Sequence, residues 1–167
     1  SQEAVTREFF LVARQFFKQV GKLRRIQQHL FNEEAFPYNY DSRATLTAAE
    51  AYEKRTGNCV SFTNLFISLA RSIGIPVRAA LISRPGDSEK AGDFVIVNTH
   101  IVAVFEHSGG AMVFDFNRRV DRQRVGLLII DDAWVTAVYL NNRGAEEVIG
   151  GYVILQGVAG DQHATIP

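Results

Sequence analysis

The chain has 167 residues, of which 47% are apolar, and this suffices for one domain with one sizeable core. Eighteen basic residues balance eighteen acidic ones, so no net charge attracts the chain to nucleic acid or to an anionic membrane. One cysteine excludes an internal disulfide, and the four histidines lack the spacing of a zinc site, so we expect no metal and no cofactor. We also expect no membrane span, because no apolar run is long enough. No targeting segment is recognisable in this stretch, and the subcellular location of the protein stays open.

Residues 3–31 carry apolar side chains at the 3.6-residue period, which predicts an amphipathic N-terminal helix, with a break into two helices at Gly21 left open. The apolar stripe consists of Val5, Phe9, Val12, Phe16 and Val20, and it is widened by Phe10 and Phe17. Packing in the core of this domain is the preferred interpretation of the stripe. A docking surface for a protein partner is the alternative.

Residues 36–46 are rich in aromatic and turn-forming residues and predict no regular structure. Thr47 and Glu50 match the pattern of a capping box, which predicts a short helix over residues 48–55. After a turn at residues 56–58, apolar residues recur at helical spacing and predict a buried helix that ends at Gly74.

The single cysteine, Cys59, lies in the first turn of that helix. Backbone N–H groups without a helical partner and the positive end of the helix dipole favour a thiolate there, which makes Cys59 a candidate nucleophile. The alternative is that Cys59 is a small buried apolar residue. A histidine and an acid placed close to the thiol would favour the nucleophile.

The second half of the chain predicts most of a sheet. Residues 77–84 predict a strand, residues 85–93 a polar loop, and residues 94–106 one central strand covered on both faces. A turn at residues 107–110 leads to a partner strand over residues 111–116, and residues 126–130 predict an edge strand.

The remaining segments are a loop, a helix and a tail. Residues 118–124 carry four arginines and predict a solvated loop, with anion binding as the alternative. Residues 131–148 predict a helix that Asp131 or Asp132 caps, and residues 152–167 have room for one strand. The predicted buried side of the helix consists of Trp134, Ala137, Val138 and Leu140.

The turn at residues 107–110 determines which residues face each other across the predicted hairpin. A turn of even length pairs Glu106 with Ala111 and brings Val102 opposite Asp115. His100 then lies on the same face as Asp115, as its diagonal neighbour. The predicted apolar surroundings of the pair are Phe94, Ile96, Val102, Val104 and Val113.

A paired imidazole and carboxylate suit nucleophilic catalysis. A carboxylate that holds one ring nitrogen sets the tautomer, and the other nitrogen can accept a proton from a thiol. The alternative is a buried hydrogen bond between His100 and Asp115 that serves the fold alone.

The motifs TGNC, SLARSIGIPVRAA and VFDFN, in this order and with His100 before the last of them, resemble the transglutaminase-like superfamily of papain-type folds. The resemblance covers about residues 38–117. It implies Cys59 as nucleophile, His100 as general base and then acid, and Asp115 as the residue that orients the histidine. Val102 departs from the family, many members of which have a tryptophan two residues after the histidine.

The resemblance also implies further features. The oxyanion stabiliser of the family is often an aromatic or amide side chain upstream of the cysteine, and the candidates are Tyr38, Tyr40, Gln27 and Gln28, among which the sequence does not choose. The backbone N–H of Cys59 is a further donor. The segment AVYLNNRGAEE is similar to the one that leads into tetratricopeptide repeats in some bacterial members, which implies that the chain is the front part of a longer protein.

We therefore expect a single α+β domain with N-terminal helices at residues 1–36 and a core at residues 37–130, followed by a C-terminal helix and tail at residues 131–167. In the core, the helix that bears the cysteine packs on an antiparallel sheet of about four strands.

The expected function is that of a transglutaminase-like cysteine enzyme. It attacks amide bonds of a peptide or protein substrate through an acyl-thioester intermediate. Water as the acceptor makes it a protease or amidase, and an amine makes it a transglutaminase. The alternative is a non-catalytic protein-interaction domain on the same fold. A third interpretation, an acyltransferase that uses a carrier such as coenzyme A, rests only on the arginines of residues 118–124.

Overall fold

The computed structural model describes residues 2–32, 34, 36–83, 88–91, 94–97, 100–116 and 126–151, and these form four helices and eight strands. The helices are α1 (Gln2–Leu30), α2 (Ala48–Lys54), α3 (Cys59–Ser72) and α4 (Asp132–Gly151). The strands are β1 (Asn39–Tyr40), β2 (Thr56–Gly57), β3 (Arg78–Ser83), β4 (Ser88–Ala91), β5 (Phe94–Val97), β6 (His100–His107), β7 (Gly110–Phe114) and β8 (Gly126–Ile130).

The largest sheet in the described part of the chain has four antiparallel strands in the order β7-β6-β3-β8. Helix α3 packs against the face to which Ile101, Ala103 and Phe105 point, and these side chains share one core with Phe62 and Phe66 of the helix. The alternate residues of the same strands form a smaller cluster on the other face. The prediction of an α+β fold, with the cysteine helix packed on an antiparallel sheet, is confirmed.

Helix α1 runs through Gly21 without a break, so the N-terminal segment is one helix. Its second half belongs to the core, because Val20 and Leu23 are buried there. Among the described side chains of α1, Phe16 is the first that packs against this core. Phe10 and Phe17 are 66% and 70% exposed, so the prediction that the stripe packs in the core is wrong for them.

The exposed side chains of α1 also include Leu11 and Val12. Val12 lies on the side of α1 that the apolar period predicts to be buried, but it precedes the part of α1 that contacts the core. Periodicity alone cannot show how far along a helix the packing partner extends. Of the helices in the described ranges, none combines the length and the apolar character that crossing a membrane requires.

Local hydrogen bonds delimit α2 and α3. The Thr47 hydroxyl accepts from the N–H of Glu50, and the Glu50 carboxylate accepts from the N–H of Thr47, so the predicted capping box is confirmed. Gly74 follows α3 with φ +76°, and it donates to the carbonyl of Arg71 while Ile75 donates to the carbonyl of Ala70. This is the glycine-dependent helix end that the sequence predicts.

Two predictions about strands are wrong. Residues 88–91 lie in the segment that predicts a loop, yet they form β4 and pair with β5. Residues 94–106 predict one central strand, but β5 belongs to the two-stranded sheet with β4, and only β6 enters the large sheet. An apolar run does not reveal where the chain changes its pairing partner. The segments at 118–124 and 152–167 lie outside the described residues.

The parallel pair β1–β2 also corrects the sequence analysis, because β1 lies in the segment for which no regular structure was expected. The edge strand at residues 126–130 is confirmed as β8.

Helix α4 is confirmed, and the carboxylate of Asp131 accepts from the N–H of Trp134 at its start. The prediction of its buried side is wrong for three of four residues: Trp134, Ala137 and Leu140 are exposed. The side chains that pack against the core are those of Val135, Val138 and Tyr139. Apolar residues occur on both sides of this helix, so its tertiary contacts decide which side is buried.

Candidate active site

Cys59 is the first residue of α3, and it is partly exposed. The side chain of Asn58 caps the helix, because its Oδ1 atom accepts from the N–H groups of Val60 and Ser61 at 3.1 and 3.2 Å. The N–H of Cys59 is thus not among the groups that this cap occupies. Asn58 was not among the residues predicted from the sequence, although an asparagine directly before the first helical residue is a recognised start signal.

The hairpin register is the predicted one, since Glu106 pairs with Ala111 and Val104 with Val113. His100 opens β6 and Asp115 follows the end of β7, and the His100 Nε2 atom lies 2.7 Å from the Asp115 Oδ1 atom. The side chain of Asp115 is only 11% exposed. Such a short contact to a carboxylate is a strong hydrogen bond that orients the imidazole ring.

The surroundings of this pair differ from the prediction. Val102 and Val104 lie in the cluster on the sheet face away from α3, whereas His100 interacts with Cys59 on α3. Phe94 and Ile96 belong to a different sheet. Because His100 and Asp115 lie at the end of the β6–β7 ladder, the alternation of the paired residues does not determine their surroundings.

A hydrogen bond between α3 and β6 places the thiol close to the imidazole. The hydroxyl of Thr63 donates to the carbonyl of Ile101 at 3.2 Å, and both groups are buried. Cys59 and Thr63 are four residues apart and therefore lie on the same face of α3. Ile101 is the neighbour of His100, so this bond brings the start of α3 to the start of β6.

The charge state of His100 depends on its neighbours. Burial lowers the pKa of His100, but the hydrogen bonds to Asp115 and Cys59 and the negative charges of both groups outweigh burial and raise this pKa to about 9. The arrangement therefore favours an imidazolium held between a carboxylate and a sulfur. Since Nε2 contacts Asp115, Nδ1 is the ring nitrogen that remains for the thiol.

Two of the four oxyanion candidates lie beside Cys59. The pairing of β1 with β2 places Tyr38 and Tyr40 next to the turn that precedes the cysteine. Burial raises the pKa of both hydroxyls, and the charge of Cys59 adds to the effect. The other two candidates lie on α1, and neither Gln27 nor Gln28 forms a side-chain hydrogen bond in the described part of the chain.

The hydroxyl of Tyr38 is buried and has no hydrogen-bond partner among the described residues. It lies against Gly57, where an added Cβ atom would be only 2.6 Å from the hydroxyl oxygen. Gly57 also has φ +149°, which L side chains rarely adopt. The glycine of the TGNC motif thus allows the Tyr38 hydroxyl to approach the backbone next to Cys59.

Phe116 is a further residue of the site that was not predicted from the sequence. Its ring centroid lies 5.2 Å from that of Tyr38 and 5.5 Å from that of Tyr40, which is about half exposed. Phe116 directly follows Asp115, so these rings form one aromatic wall beside the histidine and the carboxylate. The motif VFDFN contains Phe116, but only the approach of β1 shows that the two tyrosines meet it.

Fold and site together define a class of protein, an α+β domain in which a cysteine at a helix start meets a histidine and an aspartate from a sheet. The family model of the transglutaminase-like superfamily matches residues 12–143. The chain therefore belongs to the transglutaminase-like superfamily. Among curated proteins, none matches the chain.

Proposed function

We propose that this protein is a cysteine enzyme that cleaves or transfers amide groups through an acyl-thioester intermediate. The observation that carries the proposal is the convergence of three groups. The Asp115 carboxylate lies 2.7 Å from the His100 ring, and the same ring interacts with the Cys59 thiol at the start of α3. Each group is common in folded proteins, but the three together form the arrangement of a nucleophile, a base and an orienting acid.

In the first half of the proposed reaction, the thiol proton moves from Cys59 to Nδ1 of His100, and sulfur attacks the amide carbon. When the tetrahedral intermediate collapses, the carbon–nitrogen bond breaks and His100 returns the proton to the leaving amine. In the second half, His100 takes a proton from water or from an amine, which attacks the thioester and releases the thiol. The raised pKa of His100 favours the imidazolium that the first step forms.

The oxyanion of the tetrahedral intermediate needs donors that already point at it. We assign this role to the N–H of Cys59 and to the hydroxyl of Tyr38. Support for Tyr38 comes from its buried hydroxyl, which has no partner among the described residues and lies beside the cysteine turn. Tyr40 is about half exposed and is better placed to contact the substrate than to donate to the oxyanion. Gln27 and Gln28 remain candidates without such support.

The first test is the reactivity of Cys59 toward iodoacetamide at pH 6. Only a few thousandths of an ordinary thiol is ionised at this pH, so an activated Cys59 should react at least about tenfold faster than glutathione. His100→Ala should return the rate to that of glutathione. His107→Ala is the matched control, because His107 lies at the other end of β6. A wild-type rate equal to that of glutathione would count against the enzyme.

The second test separates hydrolysis from transfer. Casein serves as a general amide donor, and a fluorescent primary amine serves as the acceptor. If the amine is incorporated by the wild type and not by Cys59→Ala, the result supports transfer. Peptide cleavage or ammonia release without incorporation of the amine supports hydrolysis. The absence of both reactions with casein, together with an unreactive thiol, would contradict the proposal.

A non-catalytic interaction domain is the second candidate function, and the exposed rings of Phe10 and Phe17 on α1 favour it. The similarity of residues 137–147 to the segment before tetratricopeptide repeats in some bacterial members agrees with such a role. In cells, this function should survive Cys59→Ala and should be lost in a variant with Phe10→Ser and Phe17→Ser. The proposed enzyme predicts the loss of function with Cys59→Ala.

A further inference from the structure

A chain of buried and partly buried hydrogen bonds leads from α4 to the residue before Cys59. The N–H of Thr45 donates to the Oε1 atom of Glu146 at 2.7 Å, although 101 positions separate the two residues. The Oγ1 atom of Thr45 accepts from the side-chain amide of Asn58 at 2.6 Å. Thr45 is fully buried and Asn58 is 3% exposed, so water does not replace these bonds readily.

The same chain of bonds determines the orientation of the α3 cap. Because the Asn58 amide nitrogen donates to Thr45, its oxygen points toward the N–H groups of Val60 and Ser61. The hydroxyl of Ser61 in turn accepts from the N–H of Leu46 and lies 2.9 Å from the carbonyl of Ala44. The loop before α2 and the first turn of α3 therefore form one polar unit, and Cys59 is inside it.

Glu146 is the charged end of this unit. Its side chain is 16% exposed, and its second carboxylate oxygen lies 3.3 Å from Arg143 on the same helix. A bond from a backbone N–H to a carboxylate is stronger than one between neutral groups. Loss of this carboxylate would leave a buried N–H without its acceptor.

Helix α4 forms polar contacts with the rest of the domain at two places. Near its start, Asp132 forms two hydrogen bonds of 2.8 and 2.9 Å with Arg71 in the last turn of α3. Near its end, Glu146 bonds to the loop beside the first turn of α3. The two attachment points are about 20 Å apart on each helix at about 1.5 Å per residue, so α4 runs back along α3. A cavity of about 330 Å³ lies between the two helices, and Val135, Val138 and Tyr139 of α4 pack against the core, so the two polar contacts add to this apolar packing in positioning α4.

We propose that Glu146 is a positioning residue for Cys59, which acts through Thr45 and Asn58 to hold the first turn of α3 in register with His100. This inference rests on the proposed function of Cys59 as a nucleophile. Glu146 touches neither the thiol nor the substrate. Its contribution is to keep the cap of α3 oriented, so that the sulfur and the N–H of Cys59 keep their places.

The test compares Glu146→Ala with Glu147→Ala, the matched control. Glu147 also contacts Arg143, at 3.3 Å, but it is 76% exposed and its carboxylate has no bond to Thr45. Cys59 alkylation by iodoacetamide is measured from pH 5 to 9, and thermal unfolding is measured in parallel. Glu146→Ala should slow alkylation at pH 6 about tenfold, the size expected for losing one hydrogen bond to a charged group. Glu147→Ala should react like the wild type.

Two further variants separate positioning from folding. Glu146→Gln keeps an acceptor for the N–H of Thr45 and should restore most of the wild-type rate, even if Glu146→Ala does not fold. Thr45→Val keeps the shape of the side chain and removes the acceptor for Asn58, so it should slow alkylation as Glu146→Ala does. With casein as the substrate, kcat of Glu146→Ala and of Thr45→Val should fall about tenfold, while KM of these variants changes less than about twofold.

The outcomes distinguish the two proposals. A wild-type alkylation rate no faster than that of glutathione overturns the proposed function. A fast wild-type rate that Glu146→Ala and Thr45→Val leave unchanged overturns the positioning role alone. A slower rate that appears only together with partial unfolding, and not in the folded Thr45→Val variant, assigns Glu146 to stability and overturns the proposal as well.

Discussion

Replacing Asp115 with asparagine tests how the site sets the charge of His100. The substitution keeps the size of the side chain and removes its negative charge. In the wild type, burial lowers the pKa of His100, while the hydrogen bond and the charge of Asp115, together with those of Cys59, raise it to about 9. Compared with the ordinary value of 6.5, this difference corresponds to roughly 3 kcal/mol in favour of the imidazolium.

In Asp115→Asn, the burial of His100 remains and its main stabilising partner is lost. We expect the pKa of His100 to fall by at least about one unit, toward or below its ordinary value. NMR titration of ¹⁵N-labelled histidine from pH 5 to 10 measures this directly, because the chain has only four histidines. A His100→Gln variant identifies the resonance. An unchanged pKa in Asp115→Asn would refute the argument that this carboxylate holds the charge on the ring.

The same pair should make the stability of the protein depend on pH. The folded pKa of His100 lies above its unfolded value, so the stabilisation is fully present below about pH 6.5 and is lost as the pH rises through about 9. A Cys59→Ala background keeps thiol titration out of the measurement. Because that background also lacks the hydrogen bond and the charge of Cys59, which help to raise the pKa of His100, the free energy of unfolding should decline by less than about 3 kcal/mol and at a pH below about 9. Asp115→Asn should remove most of this decline.

Four further substitutions test the scaffold, each by urea unfolding. Gly57→Ala should destabilise the protein by at least about 2 kcal/mol, since the residue has φ +149° and a Cβ atom would lie 2.6 Å from the Tyr38 hydroxyl. An unchanged unfolding midpoint would show that the turn accommodates the Cβ atom without loss of stability. Thr47→Ala should cost about 1 kcal/mol through loss of the capping box, and equal stability would mean that α2 does not need this cap. Leu23→Ala, in the core, should destabilise the protein by about 2–5 kcal/mol. Phe17→Ala, at a site 70% exposed, should change stability by less than about 0.5 kcal/mol. Similar effects of the two substitutions would contradict the difference in burial between Leu23 and Phe17.

The exposed rings of α1 and the network at Glu146 both depend on contacts beyond the local sequence. The periodicity of α1 correctly predicts a helix, but the core reaches only as far as Phe16 among the described side chains, which leaves Phe10 and Phe17 exposed. Glu146 looks like an ordinary surface residue in the sequence, because its partner Thr45 is distant along the chain. Neither feature has a local signal.

The sequence alone determined those features for which the decisive interactions lie within a few residues. Thr47 and Glu50 cap each other across one helical turn, Gly74 supplies the positive φ that ends α3, and the turn before Gly110 sets the register from Glu106 to Ala111. Capping bonds, backbone conformation and turn length act locally, so a short stretch of sequence contains all the interacting groups.

Only the tertiary structure decided which distant groups meet. It separated β5 from β6, turned Val135 rather than Trp134 toward the core, and brought Tyr38 close to Cys59. The physical reason is that burial and pairing depend on the neighbour that arrives from elsewhere in the chain, and the same apolar or aromatic pattern is compatible with several neighbours.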